Sequence, residues 1–159
     1  MKLLALDQAS RTSGFAVFED GKLIKYGKFT FNDTDFGIRL MKIRDKVKSL
    51  IDEFSIDKVV FEDIQLQDNV DTFKKLAEVF GVIFELVTEL NIPHEAILAS
   101  SWKSTLKIKG AQRPEQKKNA QLWVVNNYNI KPTQDECDAI CIGVHAIKNK
   151  PAAAFDWSD

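Results

Sequence analysis

Histidine and cysteine are nearly missing from this chain, two of each in 159 residues, and their scarcity removes whole classes of chemistry. Cys137 and Cys141 are one helical turn apart with no third cysteine, and His94 and His145 are distant in sequence, so the ligand spacing of a zinc site is absent. The two thiols read as buried and reduced, because free cysteine packs as a small hydrophobe. Glycine is sparse too: the 7 glycines are scattered singly and form no glycine-rich phosphate loop. No apolar run approaches the ~18 residues of a membrane span. The apolar start after Lys2 is cut off by Asp7, far short of the ~7–15 residues of a secretory leader. The expectation is a cytoplasmic protein with no membrane partner, in the host cytoplasm if the source is viral.

Neither sign of charge is in excess overall, with 22 basic and 23 acidic residues. Along the chain the balance is uneven. Between Ser100 and Lys131 stand Lys103, Lys107, Lys109, Arg113, Lys117, Lys118 and Lys131, against the single acid Glu115. Such a stretch is either a solvated lysine-rich face or a patch that attracts a polyanion.

The order of apolar patterns predicts an α/β fold. Leu3 to Leu6 reads as a buried strand, Phe15 to Phe18 as a second, and Leu23 to Phe31 as a third with period-two alternation. Helical spacing from Asp35 to Phe54 precedes a fully apolar strand over 58–63, which implies a crossover to a parallel partner. A helix over 71–90, a short strand over 96–99, a helix opened by Pro114 and running to Asn127, and a last helix from Thr133 or Gln134 to Lys148 complete the order. The expected architecture is a mixed five-stranded sheet, three strands antiparallel and then two parallel, flanked by helices. Residues 1–150 form one domain, and 151–159 a poorly ordered tail in which Phe155 and Trp157 pack at most locally.

The helix over 71–90 is apolar around more than half of its circumference, with Phe73, Ile83 and their neighbours on one stripe and Val79, Val82 and Leu86 on another. Either it is packed on both sides within one domain or its second face is a symmetric dimer interface; the second reading is preferred, with Phe73, Val79, Val82, Ile83 and Leu86 at the interface.

The chemistry lies in four acids. Asp7 ends the first buried strand and Glu62 the fourth, and parallel adjacency of those strands brings both to one sheet edge, where sites in open α/β sheets are found. Asp135 and Asp138 are about 60° apart at the start of the last helix, on the face that also carries Ala139, Ile142 and Ala146. Crowded carboxylates repel one another and lose hydration unless protons or cations intervene. Four oxygen donors without histidine or cysteine select a hard divalent cation, magnesium above all, with manganese as a substitute.

Leu6-Asp7-Gln8-Ala9-Ser10 with Gly14 beyond it, Phe61-Glu62-Asp63, and Asp135-Glu136-Cys137-Asp138-Ala139 resemble the corresponding motifs of the RuvC family of Holliday junction resolvases, which have an RNase H-like fold. The likeness spans almost the whole chain. It implies a homodimeric, structure-selective endonuclease of DNA recombination and repair that binds four-way and related branched DNA. Two opposing strands would be cut by two-metal phosphodiester hydrolysis, leaving 5′-phosphate and 3′-hydroxyl ends. Asp7, Glu62, Asp135 and Asp138 would hold two magnesium ions in each active site. Lys103, and Lys117 or Lys118, match the family's basic residues beside the scissile phosphate, and Lys107, Lys109 and Arg113 extend the DNA-binding stretch. Nothing in the residues names a branch-migration motor as a partner. The chain departs from the family in having Asp7-Gln8-Ala9 for Asp-Pro-Gly, Glu62-Asp63 for Glu-Gln, and Gln65 where an aromatic wedge residue is common.

Three other readings compete. Another RNase H-like nuclease, acting on branched DNA more broadly or on an RNA hybrid, would use the same acids. A non-catalytic junction-binding protein would not need them. The Leu6-Asp7 to Gly14 segment also resembles the phosphate-binding hairpin of sugar kinases, but those enzymes need two domains and a second glycine-rich loop.

Overall fold

The computed structural model describes residues 1–149 of the chain; the expected tail therefore lies outside the described residues. Strands β1 (Lys2–Asp7), β2 (Thr12–Glu19), β3 (Lys22–Thr30), β4 (Lys58–Glu62) and β5 (His94–Ile97) form one sheet in the order β3-β2-β1-β4-β5. β2 pairs antiparallel with both β1 and β3, while β4 lies parallel to β1 and to β5. The expected mixed sheet is thus the one observed. Central β1 is apolar on both faces because both are covered: Leu3 and Ala5 face one core, Leu4 and Leu6 the other.

Helices α1 (Phe36–Phe54) and α2 (Val70–Glu89) cover the second of these faces. Helix α1 starts where the Asp35 carboxylate accepts from the Ile38 amide, and it stops at Ser55 in the left-handed region. The other face is covered by α3 (Ala99–Thr105), α4 (Arg113–Tyr128) and α5 (Gln134–Lys148). Pro114 stands in the first turn of α4, where its missing N–H costs nothing. A capping box, with the Thr133 amide donating to the Glu136 carboxylate at 2.8 Å, fixes the start of α5.

Two glycines seat α5 on the sheet. A β-carbon at Gly14 would lie 2.9 Å from the Glu136 nitrogen and nearer still to the Asp135 carbonyl group, and one at Gly143 would collide with the ring of Phe18. Both contacts need the hydrogen that glycine carries instead.

Three expectations are corrected. The last strand is β5 at His94–Ile97, two residues earlier than the apolar run 96–99 implied, because this short edge strand carries His94 and Glu95. Ala99–Thr105, of which Ala99 was expected to end that strand and the rest to belong to a basic stretch, forms the helix α3. On α2, Val79, Ile83 and Leu86 are fully buried within the chain itself, against the layer of α1 and the sheet, so they do not face a partner. Of the residues expected at an interface, Phe73 and Val82 remain partly exposed. The open apolar surface of this helix is Val70 and Phe84, 67% and 49% exposed.

Candidate active site

Asp7 and Glu62 stand at the C-terminal ends of the two central parallel strands, and both side chains project to the α5 face, in phase with Ala5 and Val60. Asp135 and Asp138 descend from the first turns of α5, which the Gly14 contact draws down onto β2 beside them. All four acids line one cleft of about 630 Å³. Lys103 from α3 and Arg113, Gln116 and Lys117 from α4 line the same cleft.

The carboxylates act on one another. Burial pushes the Asp7 carboxyl well above the usual carboxylate range, and the negative charges of Glu62 and Asp138, a hydrogen bond shared with Glu62, and Asp135 add to the effect. Asp138 is pushed up to about 7, again first by burial and then by Glu62, while Lys103 and Lys117 pull it the other way. Those opposing influences show that the two ammonium groups and the acids share one electrostatic environment. Among the described residues no group of three or more acidic, histidine or cysteine side chains is drawn together closely enough to hold an ion as it stands. The all-oxygen donor set and the mutual repulsion nevertheless fit a hard divalent cation, whose charge would relieve the repulsion felt by Asp7 and Asp138.

The basic residues separate into two groups. Lys103, Arg113 and Lys117 line the cleft, whereas Lys107, Lys109 and Lys118 are exposed and lie outside its lining. Of the two adjacent lysines it is therefore Lys117 that faces the acids. Lys103 is oriented from two sides. Its ammonium donates to Gln116 Oε1 at 3.1 Å and stands 5.5 Å from the ring centre of the buried Trp102. The Gln116 amide in turn donates to the Gly110 carbonyl at 3.0 Å, tying α4 to the turn that follows α3. At the far end of α3, Thr105 shares a 2.8 Å hydrogen bond with His145 of α5.

Three residues that hold the site were not singled out by the pattern of acids. Gln8, 7% exposed, pairs with the backbone of Glu62. Arg39, 3% exposed, reaches from α1 to the carbonyls of Ser10 and Asp33 and so pins the loop behind Asp7. Gln116 is the third. The one available signal was Arg39, a cation placed among the apolar positions Phe36, Leu40 and Ile43 of α1. Gln8 and Gln116 are ordinary polar residues until their partners are known.

The family model described as crossover junction endodeoxyribonuclease RuvC matches residues 3–146. The chain belongs to the RuvC family. Crossover junction endodeoxyribonuclease RuvC of Baumannia cicadellinicola is 27% identical over 146 residues, covering 89% of this chain and 84% of that protein. The RuvC of Geobacter sulfurreducens is 24% identical over 149 residues, covering 91% and 90%. Among solved structures, Thermus thermophilus RuvC in complex with Holliday junction substrate shares the fold at a TM-score of 0.76 and 16% identity, over 91% of this chain and 92% of that one. The fowlpox virus resolvase, solved with Holliday junction DNA, does so at 0.63 and 15%, over 93% and 97%. These likenesses establish the RNase H-like RuvC architecture for the sheet and helices described above.

Proposed function

We propose that this RuvC-family protein is a structure-selective endonuclease that resolves four-way DNA junctions by metal-dependent phosphodiester hydrolysis, leaving 5′-phosphate and 3′-hydroxyl ends. The observation that carries the reading is the meeting of Asp7, Glu62, Asp135 and Asp138 in one cleft faced by Lys103 and Lys117.

Magnesium, or manganese in its place, supplies activation of a water nucleophile and stabilisation of the leaving 3′ oxygen when two ions are bound. Asp7 and Glu62 hold the sheet side of that site, and Asp135 and Asp138 the helix side. Lys103 and Lys117 present ammonium groups to the scissile phosphate and offset the charge that grows on its oxygens in the transition state. Arg113 at the cleft and Lys107, Lys109 and Lys118 outside it bind phosphates of the flanking strands and hold the DNA without reading its bases.

Two symmetric cuts call for two copies of the cleft related by a two-fold axis, as a homodimer provides. The open apolar residues of α2, Val70 and Phe84, with the partly exposed Phe73 on the same side of the helix, supply the contact, whereas Val82 lies on the flank toward α1. The protein acts in the cytoplasm, and among the described residues no helix is long and apolar enough to cross a membrane.

The test is a comparison of a synthetic four-way junction, a linear duplex and an RNA–DNA hybrid, each with magnesium or with a chelator. Paired nicks at opposing positions in the junction, with magnesium alone, are expected. Equal cutting of the hybrid would assign the site to a broader nuclease, and binding without cutting in any metal would assign it to an architectural role.

A further inference from the structure

Strand β1 and strand β4 stop pairing at Leu6 and Phe61, one residue before the acids they carry. Asp7, still paired with Gly14 of β2, is the last residue of β1, and the chain then enters the loop that leads to β2. A side chain of that loop prolongs the pairing. Gln8 Nε2 donates to the Glu62 carbonyl at 2.6 Å, and the Glu62 amide donates to Gln8 Oε1 at 3.1 Å. One carboxamide therefore extends the β1–β4 hydrogen bonding past its last backbone pair. On its other flank Glu62 is in register with Ile97, whose carbonyl accepts from the Asp63 amide at 2.8 Å. Glu62 is gripped on both sides, and Gln8, following Asp7 directly, ties the two acids through a single buried link.

The loop that carries Gln8 is itself fixed. The Ala9 amide and the buried Ser13 hydroxyl bond at 3.0 Å, the same hydroxyl donates to the Ala9 carbonyl at 3.2 Å, and Arg39 holds the Ser10 carbonyl at 3.0 Å. Gln8 is thus a short strut on a rigid base, pressed between the strand ends that bear the first two acids.

We propose that Gln8 is a positioning residue that sets the separation of the Asp7 and Glu62 carboxylates through its double hydrogen bond to the Glu62 backbone, and so sets the affinity of this site for divalent cations. The proposal rests on the reading of the acids as metal ligands. Gln8 also borders the cleft, and the role assigned to it is exerted through Glu62.

Manganese binding to the DNA-free protein, followed by electron paramagnetic resonance, reads this role without reference to cleavage. Gln8→Leu keeps the volume and removes both hydrogen bonds; it is expected to raise the manganese concentration for half-occupancy about tenfold, as loss of a partner behind metal ligands does, while junction affinity in chelator stays within about twofold. Gln8→Glu keeps an acceptor for the Glu62 amide but no donor for its carbonyl, and is expected to weaken manganese binding as well. In the unaltered protein the Glu62 amide is expected to resist hydrogen exchange, a measurement that stands even where a variant fails to fold. Wild-type manganese affinity in Gln8→Leu, or rapid exchange of the Glu62 amide in the unaltered protein, overturns the proposal. Asp7→Asn separates the two readings: if it binds manganese as the parent does, the metal assignment itself fails, whereas loss of binding in Asp7→Asn beside unchanged binding in Gln8→Leu removes only the role of Gln8.

Discussion

Gly14 and Asp135 touch backbone to backbone: strand β2 approaches the first turn of α5 so closely that no β-carbon fits between them. This contact brings the helix-borne acids to the two at the strand ends. Gly14→Ala is expected to force α5 outward, lowering stability by about 1–3 kcal/mol as overpacked sites do and impairing cleavage beyond what the stability loss explains. Urea denaturation beside junction cleavage under folded conditions measures both; an unchanged cleavage rate would show that the helix need not sit so close.

The acids make the metal-free protein sensitive to pH in a defined direction. Asp7 and Asp138 have folded-state pKa values raised above the ordinary carboxylate value, that of Asp138 to about 7. Their contribution to stability is whole below the unfolded value of about 4 and is lost as pH rises through the folded value. In chelator, the melting temperature of Asp138→Asn relative to the parent is therefore expected to rise between about pH 4 and pH 7. Magnesium is expected to stabilise the parent more at pH 8 than at pH 5.5. A flat difference across that window would show that the carboxylates do not strain the fold.

Asp7→Asn removes one of the crowded charges. The variant is expected to bind junctions normally, to melt at a higher temperature than the parent in chelator at pH 8, and to cut undetectably. Gel-shift, calorimetry and cleavage assays on one preparation check the three together, and near-normal cutting would remove Asp7 from the metal site.

Lys117 lines the cleft and Lys118 does not. Lys117→Met and Lys103→Met are each expected to lower the cleavage rate about 10²- to 10³-fold, the usual cost of one donor to a developing oxyanion, with Lys118→Met affecting mainly affinity. Replacing Lys107 and Lys109 together is expected to reduce the slope of log affinity against log salt by about 2. Single-turnover rates at saturating protein separate the two effects; equal rate losses at 117 and 118 would contradict the assignment.

On α2 the exposed and buried apolar residues make opposite predictions. Phe84→Glu is expected to give a folded monomer in sedimentation, whereas Leu86→Ala is expected to lower stability by about 2–5 kcal/mol and leave the oligomeric state of the folded fraction unchanged. A Phe84→Glu protein that stays dimeric would place the contact elsewhere.

Much of this organisation was legible in the residues. Strands ending in Asp7 and Glu62 are unbroken apolar runs, and such runs announce a sheet covered on both faces; the order of helices between them dictates which strands are parallel. Other features were hidden for physical reasons. Helix α3 is 7 residues long, too short for periodicity to appear, although it carries Lys103. The wide apolar face of α2 was real, but the pattern alone does not say which half meets the sheet, and Val79, Ile83 and Leu86 proved to be the inner half. Gln8 was visible only as a departure from the family, because a side chain that bonds the backbone of a neighbouring strand leaves no mark on composition or spacing.

Helix α5 rests on the sheet at two places where glycine meets its neighbour, Gly14 against Asp135 at one end and Gly143 against Phe18 at the other. Such footing fixes height and rotation by main-chain shape, with the surrounding aliphatic groups acting as filler. Redesign of this layer can accordingly exchange a good number of its leucines, isoleucines and valines for others of similar bulk and still find the acids where they were. The two sites closed to the designer are those where there is nothing to exchange.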